Sequence, residues 1–263
     1  MGQKSRFIQK MQKGGICLGT GITFSDPAIT EALSRTLDFA WIDMEHNPLT
    51  LETVQAHIMA TKGTACTPLV RLAWNDPVLI KPVLDIGAAG VILPMVRTAQ
   101  EAQRAVEACL YPPAGIRGFG PRRPSDYGRI EGPDFCKEAN DSVIVIPQME
   151  HIDAANNIDE IVRVPGISAL VIGPNDLSGS MGLLGQPRHP EVLAAIDTII
   201  DGARRAKVPV GLGVGSAYDD IAAWIKKGAQ WLSIGDDYGF LTKGVDELFG
   251  RLRATYSCSP AAD

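Results

Sequence analysis

Eight short, almost continuously apolar runs recur along the chain, at residues 16–23, 39–45, 67–72, 90–96, 142–150, 167–174, 208–214 and 231–236, and segments of helical pattern separate them. A strand with one wet face alternates polar and apolar residues. A strand that is apolar throughout is covered on both faces, as in a parallel sheet sheathed by helices. The helical patterns fall at 27–37, 51–61, 77–86, 99–110, 154–162, 190–206, 217–227 and 241–254, and some open on an Asp-Pro pair, as at Asp26-Pro27 and Asp76-Pro77. Eight βα units in 263 residues is the size of a closed (β/α)8 TIM barrel, the α/β fold this pattern predicts. An open doubly wound sheet is the alternative. No linker divides the chain, so residues 1–263 read as one domain with a frayed tail over 257–263.

A net charge of −5 supplies no basic face for a nucleic acid. No uncharged apolar stretch is long enough for a membrane helix. The five cysteines, Cys17, Cys66, Cys109, Cys136 and Cys258, show no CxxC spacing. That argues against a disulfide framework or a zinc cluster and for reduced thiols in the cytoplasm.

In such a barrel chemistry sits at the C-terminal ends of the strands. Charged residues gather there: Asp43, Glu45 and His46 after the second run, Arg71 after the third, Gln148, Glu150 and His151 after the fifth, Asn175 and Asp176 after the sixth, Asp236 and Asp237 after the eighth. Glu150 and Asp176 end neighbouring strands. Two converging carboxylates repel unless a cation lies between them, and an all-oxygen pair suits a hard divalent ion such as magnesium, manganese or cobalt. On spacing alone the same two residues fit equally well as first-turn helix acids. His46 has the free pKa of a general base, but in isolation it reads more readily as a capping or solvated histidine. Arg71 interrupts an apolar run and so needs an anionic partner, either Asp43 or the oxygen of a bound oxo acid. The long connection 112–141 carries Arg117, Arg122, Arg123 and Arg129, which suit a distal substrate carboxylate or a subunit contact.

Taken together, Asp43-Met-Glu-His46, Arg71, Pro112-Pro-Ala-Gly-Ile-Arg-Gly118, Gln148-Met-Glu150 and Gly173-Pro-Asn-Asp-Leu-Ser178 resemble the HpcH/HpaI aldolases over residues 7–255. This is a family of class II, metal-dependent pyruvate aldolases acting on 4-hydroxy-2-oxoheptanedioate or on 2-keto-3-deoxy sugar acids. The resemblance implies a barrel of the phosphoenolpyruvate/pyruvate superfamily and a homo-hexamer built as a trimer of dimers, with the last helix exchanged between subunits. It implies a divalent metal ion on Glu150 and Asp176, with a small 2-oxo acid and an aldehyde as substrates. Gln148, Gly173, Pro174, Asn175 and Asp176 become pyruvyl-binding positions. His46 becomes the base and Arg71, braced by Asp43, the residue that stabilises the transition state. Asp85 matches the acid that raises the basicity of the histidine. It falls near the end of the third barrel helix, the wrong end to reach His46 within one chain, so the resemblance requires it to act across an interface. The chain departs from the heptanedioate enzyme at Thr20-Gly21, where that enzyme has a bulky aromatic, and at Phe119-Gly-Pro-Arg-Arg-Pro124; both departures leave the aldehyde open.

Four rivals are weighed. A Schiff-base aldolase needs a lysine at a strand end, and none of the ten lysines falls at one. A phosphate-binding barrel would suit Gly213-Val-Gly215-Ser216, but Asp236 and Asp237 would repel the anion. A citrate lyase β-subunit-like enzyme acting on a CoA thioester is closer. A non-catalytic binding or assembly barrel is disfavoured by the retained Glu150, Asp176, His46 and Arg71.

Overall fold

The apolar runs close on themselves. In the computed structural model, which describes residues 6–256, β1 (Cys17–Ile22), β2 (Phe39–Asp43), β3 (Thr67–Arg71), β4 (Gly90–Leu93), β5 (Ile144–Met149), β6 (Leu170–Ile172), β7 (Val210–Val214) and β8 (Trp231–Asp236) form a closed barrel in chain order. Every pair is parallel, and β1 pairs with β8 as well as with β2. All eight expected strands are present, so the barrel prevails over the open sheet. The expected frayed tail at 257–263 lies outside the described residues.

The helices are α1 (Arg6–Gln12), α2 (Ala28–Leu33), α3 (Leu51–Ala60), α4 (Pro77–Asp85), α5 (Ala99–Cys109), α6 (Gly132–Ser142), α7 (Ile152–Asn156), α8 (Ile158–Ile161), α9 (Pro174–Ser180), α10 (Pro190–Ala206), α11 (Tyr218–Lys227) and α12 (Asp237–Tyr256). Their starts follow local chemistry. The Asp76 side chain accepts from Val78 N–H at 2.7 Å before α4, and Thr98 with Glu101 forms a reciprocal capping box on α5. Lys207, in the left-handed region at φ 58°, ends α10.

The core has two compartments. Outward-facing strand residues such as Ile42, Val70 and Leu212 pack against Val54, Ile80, Ile196 and Ile199 of the helical sheath. Inward-facing Phe39, Trp41, Leu69, Ile92, Ile146, Val171 and Trp231 fill the barrel itself. From below, Phe7 and Met11 of α1 join that inner cluster, with Phe7 edge-on to Phe39 at 5.3 Å and to Trp231 at 5.4 Å between ring centroids. A side chain at Gly211 would collide with the Trp231 indole, so glycine there makes room for the largest residue of the interior. The filled base leaves the C-terminal mouth as the open end.

The structure corrects several boundaries. α1 lacks the flanking strand signals of a barrel unit and is absent from the sequence-level reading. α6 occupies the end of the long connection, so β5 starts at Ile144 rather than at 142. The helix expected over 154–162 is two short helices, α7 and α8, joined at Asn157. The sixth strand is only three residues long, because Gly173 leaves the sheet and α9 starts at Pro174. α12 begins four residues earlier than expected, at Asp237, which is its only buried residue. Its Phe240, Leu241, Val245, Leu248, Phe249 and Leu252 are exposed within one chain.

Trp231→Ala removes the keystone of the inner cluster. It is expected to lower unfolding stability by about 3–5 kcal/mol in denaturant titration; a loss under about 1 kcal/mol would mean that the plug contributes little to the fold.

Candidate active site

At the mouth, the ends of β2 and β3 are locked together. Arg71 Nε donates to Asp43 Oδ1 at 2.8 Å, and Arg71 Nη1 lies 3.0 Å from Glu45 Oε2. Asp43 also accepts from the Glu45 N–H at 3.0 Å and from Asn47 Nδ2 at 2.6 Å. The guanidinium lies over the Trp41 ring, 5.2 Å from its centroid. Burial opposes ionisation of Asp43, but Arg71 and these donors hold its carboxyl below the ordinary aspartate range. Arg71 is therefore fixed, charged and aimed into the mouth, and the anionic partner expected from sequence is Asp43.

On β5, Gln148 Nε2 donates to Glu150 Oε2, while Gln148 Oε1 is buried without a hydrogen-bond partner. Glu150 Oε1 accepts from the Met95 N–H at 2.7 Å. Met95 takes a left-handed φ of 56° just after β4, a costly conformation for a residue with a side chain. That twist turns its N–H towards a buried carboxylate. Glu150 is thus no helix cap. Opposite it, a Cβ at Gly173 would come within 2.8 Å of Glu150 Oε2 and 3.2 Å of Gln148 Nε2, so only glycine leaves that cradle open.

The electrostatics are unbalanced. Burial, with Glu45 and Asp176 adding to the rise, holds the Glu150 carboxyl up at about 7 against the pull of its Gln148 and Met95 hydrogen bonds. Burial likewise lifts Glu45 to about 7, with Arg71 pulling it down and Asp43 and Asp176 adding to the rise. Asp43, Glu45 and Glu150 thus share the Arg71 guanidinium, while Asp176 adds negative charge beside Glu45 and Glu150. Glu45 received no role from sequence; only its place beside His46 could have marked it.

His46 lines the cleft with its side chain 61% exposed, and its Nε2 lies 3.7 Å from Glu45 Oε2. Gly173, Pro174, Asn175 and Asp176, with Gln148, line the same cleft, which measures about 710 Å³ and continues between α10 and α11. Asp85 is elsewhere. It accepts from Arg117 Nη2 at 2.7 Å, and Arg117 stacks on Tyr111 at 4.4 Å. Arg123 reaches the Ile86 carbonyl and Arg129 pairs with Asp126, and within one chain none of these loop arginines lines the cleft. His151 caps α7 by accepting from the Asp153 N–H and is not among the residues lining the cleft. Asp237 accepts from the N–H groups of Thr23 and Phe24 and ties α12 to β1, so only Asp236 of that pair faces the cleft. The one lysine lining the cleft, Lys227, sits on α11 and pairs with Asp197 at 2.6 Å.

A family model described as HpcH/HpaI aldolase/citrate lyase matches residues 23–243. The chain belongs to that family. A 4-hydroxy-2-oxo-heptane-1,7-dioate aldolase from Salmonella dublin is 38% identical over 264 residues, covering 98% of each chain. The solved HpcH/HpaI aldolase/citrate lyase family protein of Burkholderia cenocepacia J2315 superposes with a TM-score of 0.90 at 27% identity, over 95% of this chain and 100% of that one. A solved citrate synthase, SbnG, superposes with a TM-score of 0.84 at 26% identity, over 95% and 98%. As a member of this family, the chain is an enzyme of the class II aldolase type. No helix among the described residues is long and apolar enough to cross a membrane.

The raised carboxyls have a signed consequence. Glu150 and Glu45 bind protons more tightly folded than unfolded, so their contribution to stability is fully present below the ordinary glutamate range and is lost as pH rises through about 7. In metal-free buffer the melting temperature should therefore fall between about pH 5 and about pH 8, and less steeply in Glu150→Gln. An equally steep fall in that variant would contradict the assignment.

Proposed function

We propose that this chain cleaves or forms 4-hydroxy-2-oxo acids, to or from an aldehyde and pyruvate or a close analogue such as hydroxypyruvate. The observation that carries the reading is the meeting of Glu150, Asp176 and Glu45 around a braced Arg71 at the mouth of this family's barrel.

Glu150 and Asp176 fit a hard divalent ion. Their donors are all oxygen, the Asp176 charge raises the cost of ionising Glu150, and Gly173 keeps the space beside Glu150 clear. Among the described residues no group of three or more His, Cys, Asp or Glu side chains is placed to hold a metal ion, so in this reading the protein supplies the two carboxylates and substrate and water would complete the shell. Magnesium, manganese or cobalt bound there would supply Lewis acidity to the carboxylate and keto oxygens of a 2-oxo acid.

The chain's own residues do the rest. Gln148 and the Gly173-Pro174-Asn175 turn orient the pyruvyl half. His46 takes the proton of the 4-hydroxyl; the O–H electron pair becomes the aldehyde C=O as the C3–C4 bond breaks. The electron pair of that bond passes to the pyruvyl half as its enolate, and Arg71, held by Asp43 and Glu45, faces the developing negative charge. In synthesis the steps reverse. Asp85 acts on His46 from a neighbouring subunit in this reading, and the exposed apolar residues of α12 support a hexamer, a trimer of dimers, with that helix exchanged. The reduced cysteines support a cytoplasmic setting.

The SbnG likeness favours one second reading, carbon–carbon chemistry on citrate or a CoA thioester. Consumption of acetyl-CoA with oxaloacetate, without turnover of 4-hydroxy-2-oxo acids, would select it.

EDTA should abolish pyruvate release from a 4-hydroxy-2-oxo acid, and manganese or magnesium should restore it; full activity in chelator removes the metal. His46→Ala should lower kcat by about 10²–10⁴-fold while leaving divalent-ion affinity within about threefold, whereas a near-normal rate removes His46 as the base. Borohydride with pyruvate should leave the protein mass unchanged, and an adduct would mean that a lysine forms a Schiff base.

A further inference from the structure

The mouth has two unlike sides. Glu150 and Asp176 follow β5 and β6, whereas Asp236 ends β8, across the barrel from β4 and beside β1. On that far side the lining is cleared of side chains at Gly21, Gly213, Gly215 and Gly235. Asp236 is registered against Gly21, and any Cβ at position 21 would collide with Asp236 Oδ1. The glycine is what allows the carboxylate to stand there. Ser233 lines the same wall. The Tyr238 side chain bonds to Asp236, but a carboxylate offers about four acceptor sites, so most of them remain open to the cleft.

The cations along the cleft are already matched. Arg71 serves Asp43 and Glu45, Arg188 pairs with Asp220, and Lys227 pairs with Asp197. A carboxylate carried by the aldehyde would thus meet Asp236 and, among the described residues lining the cleft, no cation without a carboxylate partner. Asp236 has no bond to Arg71 and no part in the proton transfer drawn above, so its chemistry is left over for the remainder of the substrate.

Resting on the aldolase reading, we propose that Asp236 is a specificity-determining residue whose carboxylate accepts hydrogen bonds from hydroxyl groups on the aldehyde half. The preferred aldehyde is then uncharged and hydroxyl-bearing, unlike the carboxylate-bearing product that the name of the Salmonella dublin relative's dioate substrate implies. The acceptor sites that Tyr238 leaves open reward hydroxyl donors, and the uncompensated negative charge repels a second carboxylate.

The test compares glyceraldehyde, propanal and succinate semialdehyde as partners for pyruvate, in the metal-loaded wild type and in Asp236→Asn and Asp236→Val. Metal-dependent exchange of the pyruvate methyl protons in D2O by the wild type is measured first; without it the aldolase reading itself fails, and this proposal with it. With exchange present, the wild-type kcat/KM should favour glyceraldehyde over propanal by at least about tenfold, and that ratio should collapse towards one in Asp236→Val. Asp236→Asn, which keeps the shape, should raise the succinate semialdehyde to propanal ratio by about tenfold. The ratios read the side chain's role even where a variant loses part of its active fraction. A wild type that prefers succinate semialdehyde, or ratios unchanged in both variants, would overturn the proposal while leaving the aldolase reading intact.

Discussion

A surplus of negative charge, buried at Asp43 and Glu150, half-buried at Glu45 and exposed at Asp176, governs the mouth of this barrel. Asp43, Glu45, Glu150 and Asp176 lie within electrostatic reach of one another, and the one guanidinium among them, Arg71, is spent on Asp43 and Glu45. Such a group is unfavourable as a stability device, because each desolvated carboxylate costs free energy that a single cation cannot offset. It makes sense as a site that keeps a place for an external positive charge. The local oddities serve the same end: the left-handed Met95 that points its N–H at Glu150, the glycine at 173 and the amide bridge from Gln148.

The fold carries this cost elsewhere. Phe7, Phe39, Trp41 and Trp231 fill the barrel below the site, and the aliphatic sheath surrounds it, so the polar cluster sits on a rigid, dry base. Asp237 fastens the start of α12 to the turn after β1 and keeps β8 in register beside Gly21. That leaves Asp236 facing inward while its neighbour is structural, a division of labour between two adjacent acids.

Much of this was legible in the sequence. Parallel strands read as uninterrupted apolar runs, so all eight could be counted, and the barrel rule turned each run's end into a list that contained His46, Arg71, Gln148, Glu150 and Asp176. What escaped did so for physical reasons. α1 is a plug whose three buried residues, Phe7, Ile8 and Met11, carry no clear periodic signal in so short a helix. β6 is cut to three residues because Gly173 must leave the sheet to open space beside Glu150. Nothing in a methionine announces a left-handed backbone, so Met95 was invisible, and Glu45 stood in plain view between Asp43 and His46 without a pattern to single it out. Asp85, reached by resemblance, lies against Arg117 in one chain, as its place at the end of α4 foretold.

The central claim is that Glu150 and Asp176 together hold a divalent cation. Anomalous diffraction at the manganese edge, from crystals of the intact protein grown with manganese and pyruvate, tests it most directly. The account predicts one strong peak within coordination distance of both carboxylates, lost in Asp176→Asn crystals. Full-occupancy density elsewhere, or a peak that persists unchanged in the variant, would contradict it.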